Sequence, residues 1–332
     1  MPDGVLSFFF VLSGFVLRHT QSPDGFKAGG FYIRRAVRIL PLHYLTLAFW
    51  IWLFFDSWGN SLPDKINSGV ANVLLIHSLF NGHLFILGYN AVSWSISVDV
   101  FLCAMLPLLL PGRRAIWLFL ILAATWLLLP SGVAAALGQA FPDFFHNHPL
   151  GRLLDFSAGI ALHAVWRRLQ PGEVTATVVQ VCAALLVVVL SLRHPELPAR
   201  LLNLMMVLPL CALVMSFAWE GPLTRLLSHR IPVLLGEASF ALYMTHHMLF
   251  RVLDPLMVGW GSGVALTVAV ITAVSLSIAI LKLFELPARN LLLRLIFGRR
   301  PQAVPQAPAA SGPVAAPPLR QSVAEARAPV PA

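Results

Sequence analysis

Long apolar runs follow one another through nearly all of this sequence, separated by short charged stretches, and that rhythm leaves few folds open. A helix of about 20 apolar residues crosses a bilayer with every backbone donor and acceptor satisfied inside the segment. Runs of that kind lie near 4–19, 40–56, 92–110, 115–130, 151–166, 174–192, 201–219, 232–253 and 261–284. They predict an all-α fold, a polytopic transmembrane helix bundle of about nine spans. Composition agrees. Of 332 residues, 58% are hydrophobic and 11% charged, against about 45–50% and about 25% in soluble domains. So little polar surface cannot cover a water-soluble fold of this size, which excludes a soluble globular enzyme.

One apolar stretch does not read as a span. Residues 70–87, VANVLLIHSLFNGHLFIL, are interrupted by His77, Asn81, Gly82 and His83. Irregular backbone at membrane depth is tolerated only where protein or a cavity shields it, so this stretch is expected to be re-entrant or interfacial. Lys and Arg test the count. With nine spans, fifteen of them fall on one side, in groups such as Arg34, Arg35 and Arg38, then Arg113 and Arg114, then Arg167 and Arg168, and five on the other. The positive-inside rule then places the C-terminus in the cytoplasm and the N-terminus outside, in a multi-pass protein of the inner (plasma) membrane. The net charge of +9 is spent on these clusters. Topology therefore explains the basic balance, and no nucleic-acid partner is expected; membrane lipid is.

Cys103, Cys182 and Cys211 lie far apart in apolar runs, without a CxxC pair, and read as small buried hydrophobes. No metal site is expected. Residues 299–332 are rich in Pro and Ala and lack apolar periodicity. They read as a disordered cytoplasmic tail behind a transmembrane domain over 1–298.

Charges inside spans are costly and need a reason. The candidates are Asp99, Asp155, Glu237 and Glu285, with His246 and His247. Ser239, Tyr243 and His246 follow at spacings of four and three, which puts them on one helix face; they line a substrate cavity or bond between helices. Asp99 either serves chemistry or pairs with an Arg or His of another helix. Glu285 is expected to form an interfacial salt bridge with Arg289 at i+4. Arg35 and Arg38, three apart, would project two guanidiniums to one side at the cytoplasmic face. Such a pair suits a polyphosphate, although arginines also mark topology.

Five runs, FFFVLSGFVL at 8–17, FYIRRAVRILPLHYL at 31–45, WSISVD at 94–99, SFALYMTHH at 239–247 and FELPAR at 284–289, stand in an order and spacing that resembles the acyltransferase 3 family of integral-membrane O-acyltransferases. The resemblance covers residues 4 to about 294. It implies a bundle of typically ten spans that moves an acyl group, acetyl in the first instance, from cytoplasmic acyl-CoA to a hydroxyl of a cell-envelope or exported carbohydrate or glycolipid. It implies that Arg35 and Arg38, assisted by Arg34, contact the CoA phosphates, and that Asp99, Tyr243 and His246 belong to the cavity. Asp99 stands where the family has Glu, so its carboxylate reaches one methylene less. Ser13 and Gly14 match the family's second helix. The family's first helix, with a basic residue and a histidine eleven positions later, has no counterpart among these residues, so the general base is expected to be missing and this form to be weakly active or inactive. Intramembrane Asp, Glu and His also occur in transporters and flippases, the rival class, though no repeated halves are visible. A non-catalytic membrane scaffold is the third option.

Overall fold

A computed structural model describes residues 3–55, 61–80, 82–128, 133, 144–192 and 199–298. Asn81 and the tail read as disordered, 299–332, lie outside the described residues. The described elements are helical throughout. The long helices are α1 (Asp3–Thr20), α2 (Ala28–Phe54), α3 (Leu62–Val73), α4 (Trp94–Leu109), α5 (Gly112–Leu128), α6 (Pro149–Trp166), α7 (Glu173–Leu192), α8 (Ala199–Phe217), α9 (Arg230–Leu253), α10 (Ser262–Ile280) and α11 (Leu286–Phe297). A π-helical turn, Leu281–Glu285, joins α10 to α11. By length and apolarity, α2, α7 and the continuous stretch Ser262–Phe297 suffice to cross a membrane.

Apolar side chains cover much of the outside: Trp52 and Leu192 are each 75% exposed. Exposure on that scale is uphill in water and neutral against acyl chains, so the surface suits lipid. Cys182, expected to be buried, sits on this outer surface of α7, while Cys103 and Cys211 are buried. The small thiol is apolar enough for either place.

At the centre α1 packs on α6 over most of its length, with α4, α5 and α8 around the pair. Glycine permits the contact. A Cβ on Gly14 would fall on the carbonyl oxygen of Phe156, and one on Gly159 on that of Val11. Only hydrogen in these positions lets the two backbones approach so closely. A second group, α2, α9, α10 and α11, packs through Ile39, Leu42, Ala241 and Met244, with Ile96 of α4 joining from the first.

The stretch 70–87 does not run as one helix. Backbone with φ of +56° at Leu75 breaks it after α3, and a 3-10 turn, His77–Leu79, and a short helix, His83–Ile86, come next. Several of its polar groups bond to neighbouring protein: Ser78 and Ser97 hydroxyls lie 2.7 Å apart, and His43 Nε2 is 3.0 Å from the Asn72 carbonyl oxygen. Such mutual satisfaction is what allows irregular chain to lie buried in an apolar bundle.

Candidate active site

The four helices α1, α2, α4 and α9 diverge around a cavity of about 420 Å³. Its polar lining gathers residues spread over the chain: Ser13 from α1, Arg35 and Arg38 from α2, Ser95 and Asp99 from α4, and Ser239 and Tyr243 from α9. Phe9, Phe10 and Phe240 make much of the apolar wall.

Helical spacing explains the convergence. Arg35 and Arg38 are three apart and Ser95 and Asp99 four apart, so each pair occupies one face. Arg35 Nη2 donates to both oxygens of Asp99, at 3.0 and 3.1 Å, and to Ser13 Oγ at 3.3 Å. Ser13 Oγ donates in turn to Asp99 Oδ1 at 3.3 Å. Arg35 Nε points at Cys103 Sγ, 3.3 Å away. The ion-pair side chains are only 22% and 21% exposed. Asp99 therefore does pair with an arginine of another helix, and despite its shorter side chain it reaches that partner with both oxygens. The same pair lies in the cavity wall.

Arg38 differs from Arg35. It is exposed at the cavity and makes no ion pair within 4 Å among those of the described residues, and Asp99, Glu285, Arg35 and Arg289 are its charged neighbours. Two guanidiniums three residues apart thus have distinct situations: one held by a carboxylate, the other open to a ligand.

Across the cavity, Tyr243 OH donates to the Val92 carbonyl oxygen at 3.0 Å and accepts from Ser95 Oγ at 2.8 Å. Ser239 Oγ donates to Gly236 O of its own helix. His246 does not line the cavity. Its Nδ1 sits 2.7 Å from the Tyr243 carbonyl oxygen, so that nitrogen carries the proton and Nε2 is left as the acceptor. Arg34 is exposed and also lies away from the cavity lining, as does exposed Glu237. The expected Glu285–Arg289 salt bridge is not formed. Burial within the π turn leaves Glu285 only 6% exposed, with Oε2 accepting no hydrogen bond.

One constellation escaped the sequence reading. Arg152, one of the five basic residues counted on the outer side of the membrane, is 0% exposed. It donates to Ser7 Oγ at 2.8 Å, Asp155 Oδ2 at 3.2 Å and the His146 carbonyl oxygen at 2.7 Å. It thereby ties α6 to α1 and gives Asp155 a partner well away from Asp99. The i,i+3 spacing of Arg152 and Asp155 was the available signal.

Comparison with known proteins bears on this geometry. The profile of the acyltransferase domain family matches residues 5–282. The chain is also 29% identical over 336 residues to acyltransferase MdmB of Streptomyces mycarofaciens, covering 92% of this chain and 84% of the relative. No solved structure matches it.

Proposed function

The chain belongs to the acyltransferase domain family, and from that premise we propose that it is a multi-pass inner-membrane O-acyltransferase with acyl-CoA, acetyl-CoA in the first instance, as donor. The acceptor is a hydroxyl of a cell-envelope or exported carbohydrate or glycolipid. The observation that carries this reading is the cavity in which Arg35, Arg38, Asp99 and Tyr243 meet, in a chain of this family. Nine spans with a cytoplasmic C-terminus complete it. The nine apolar runs each fall on a long helix, and the charge count sets the orientation.

The residues divide the work by chemistry. Arg38, open at the cavity, can fork onto phosphate oxygens, whereas Arg35 is committed to Asp99 and fixes the wall. The Phe9, Phe10 and Phe240 wall suits an apolar acyl-pantetheine arm and excludes water from a thioester. Tyr243 and Ser95 place two mutually bonded hydroxyls in the same wall, giving a bound substrate a polar edge opposite the arginines. In the transfer the acyl carbon exchanges its C–S bond for a C–O bond, and the hydroxyl proton ends on the CoA thiol. No histidine is among the residues lining the cavity, and both oxygens of Asp99 already accept from Arg35. These side chains therefore bind and orient.

The test uses membranes containing the full chain, supplied with acetyl-CoA labelled in the acetyl group. Label should appear in envelope or exported glycans as an alkali-labile ester, and the signal should fall at least about tenfold in Arg38→Gln, as expected for loss of a charge-assisted contact. Glycan labelling equal to that of membranes without the chain, together with no binding of acetyl-CoA by the chain, would refute the assignment.

A further inference from the structure

Beside the cavity's cationic end, a distant part of the chain packs against α2 without itself lining the cavity. Arg38 lines it from α2, and the π turn and α11 both pack against α2. A π turn adds a residue to the helical repeat and rotates the helix beyond it, and such turns gather at functional sites. Here it turns Glu285 inward, to 6% exposure, while Lys282 remains exposed. Arg289 lies four residues beyond Glu285, on the same face and half-buried. Arg38 and Arg289 are charged neighbours, and Glu285 stands in the field of both. Yet Glu285 Oε2 accepts no hydrogen bond. A buried carboxylate oxygen without a donor, beside two guanidiniums, is an unusually costly arrangement unless it has a task.

We propose that Arg289 is a further donor-binding residue, forming with Arg38 the site for the phosphates of acyl-CoA, and that Glu285 is a resident counter-charge that weakens this site. The inference rests on the acyl-CoA reading above and deepens it. Two planar forks carried on neighbouring helices match a polyphosphate better than one. The carboxylate keeps the paired cations from repelling one another and lowers affinity for anions, which favours release of free CoA after transfer.

The sign of the Glu285 effect separates this role from a structural one. A carboxylate that only anchors α11 would, when neutralised, loosen the site and weaken donor binding. A competing counter-charge would, when neutralised, strengthen it.

Binding of acetyl-CoA and of S-acetylpantetheine, which lacks the phosphates, is measured on the full chain in lipid nanodiscs. Arg289→Gln should weaken acetyl-CoA binding about tenfold, the worth of one charge-assisted contact, and leave S-acetylpantetheine unchanged. Arg289→Lys, which keeps the charge and loses the fork, should fall between. Glu285→Gln should tighten acetyl-CoA binding severalfold and again spare S-acetylpantetheine. Wild-type acetyl-CoA affinity in Arg289→Gln, or equal losses for both ligands, overturns the inference while the donor reading stands. Weaker acetyl-CoA binding in Glu285→Gln overturns the counter-charge role. Absence of acetyl-CoA binding by the wild-type chain removes the donor reading itself, and the inference with it.

Discussion

A single ion pair shows how much the wall of the cavity depends on individual atoms. Arg35 gives three of its contacts to groups on two other helices, Ser13 on α1, and Asp99 and Cys103 on α4. Removing one partner of a largely buried pair costs more than the pair itself contributes, because the remaining charge keeps its desolvation penalty. Asp99→Asn should therefore destabilise the folded chain by about 1–3 kcal/mol. A lower thermal midpoint in detergent than wild type is the expected observation, with Asp99→Glu closer to wild type. Much of this site was legible beforehand. Arg35, Arg38, Asp99, Ser239 and Tyr243 stand out as polar groups in apolar runs, and helical spacing assigns them to faces. Partnership across helices was not legible, since one sequence carries no interhelix distance. That is why Glu285 was assigned to Arg289, four residues away, rather than to the neighbourhood of Arg38, and why Arg152 was counted only as a topological charge.

At the scale of elements, apolar run length located the long helices well, because burying or lipidating an apolar face is what stabilises them. The segment between α2 and α4 was harder. Its composition indicated that it would not span, but its path depends on specific bonds, such as Asn90 Nδ2 donating to Met244 O at 2.9 Å. The α1–α6 contact is the firmest of the element pairs in steric terms. Gly14 and Gly159 lie against backbone atoms, which cannot rotate away as a flexible side chain could. Gly14→Ala or Gly159→Ala should force the helices apart at a cost of about 1–3 kcal/mol or more, the range for overpacking. Because Ser13 and the Phe9–Phe10 wall ride on α1, acetyl-CoA binding should weaken in parallel with stability. Unfolding curves in detergent that coincide with wild type for both alanine variants would show that the contact is looser than described.

For the molecule as a whole, the opening rhythm of apolar runs translates into two helix groups with a shared seam. Lipid suits the outer surface with its exposed Trp52 and Leu192, while polar side chains such as Arg152, Asp155 and Glu285 are turned inward. The cavity lies on that seam, between α1 and α4 of one group and α2 and α9 of the other. Its position comes from packing and not from any one motif, which is why five separated runs were needed to indicate it. The central claim is that this cavity receives the acyl donor. Gly236 offers a direct test, because it lines the cavity and a Cβ added there meets nothing within 4 Å. A Gly236→Trp variant should keep a thermal midpoint near wild type, since its Cβ meets no neighbour, and should lose acetyl-CoA binding. Undiminished acetyl-CoA binding in a folded Gly236→Trp chain would contradict the account.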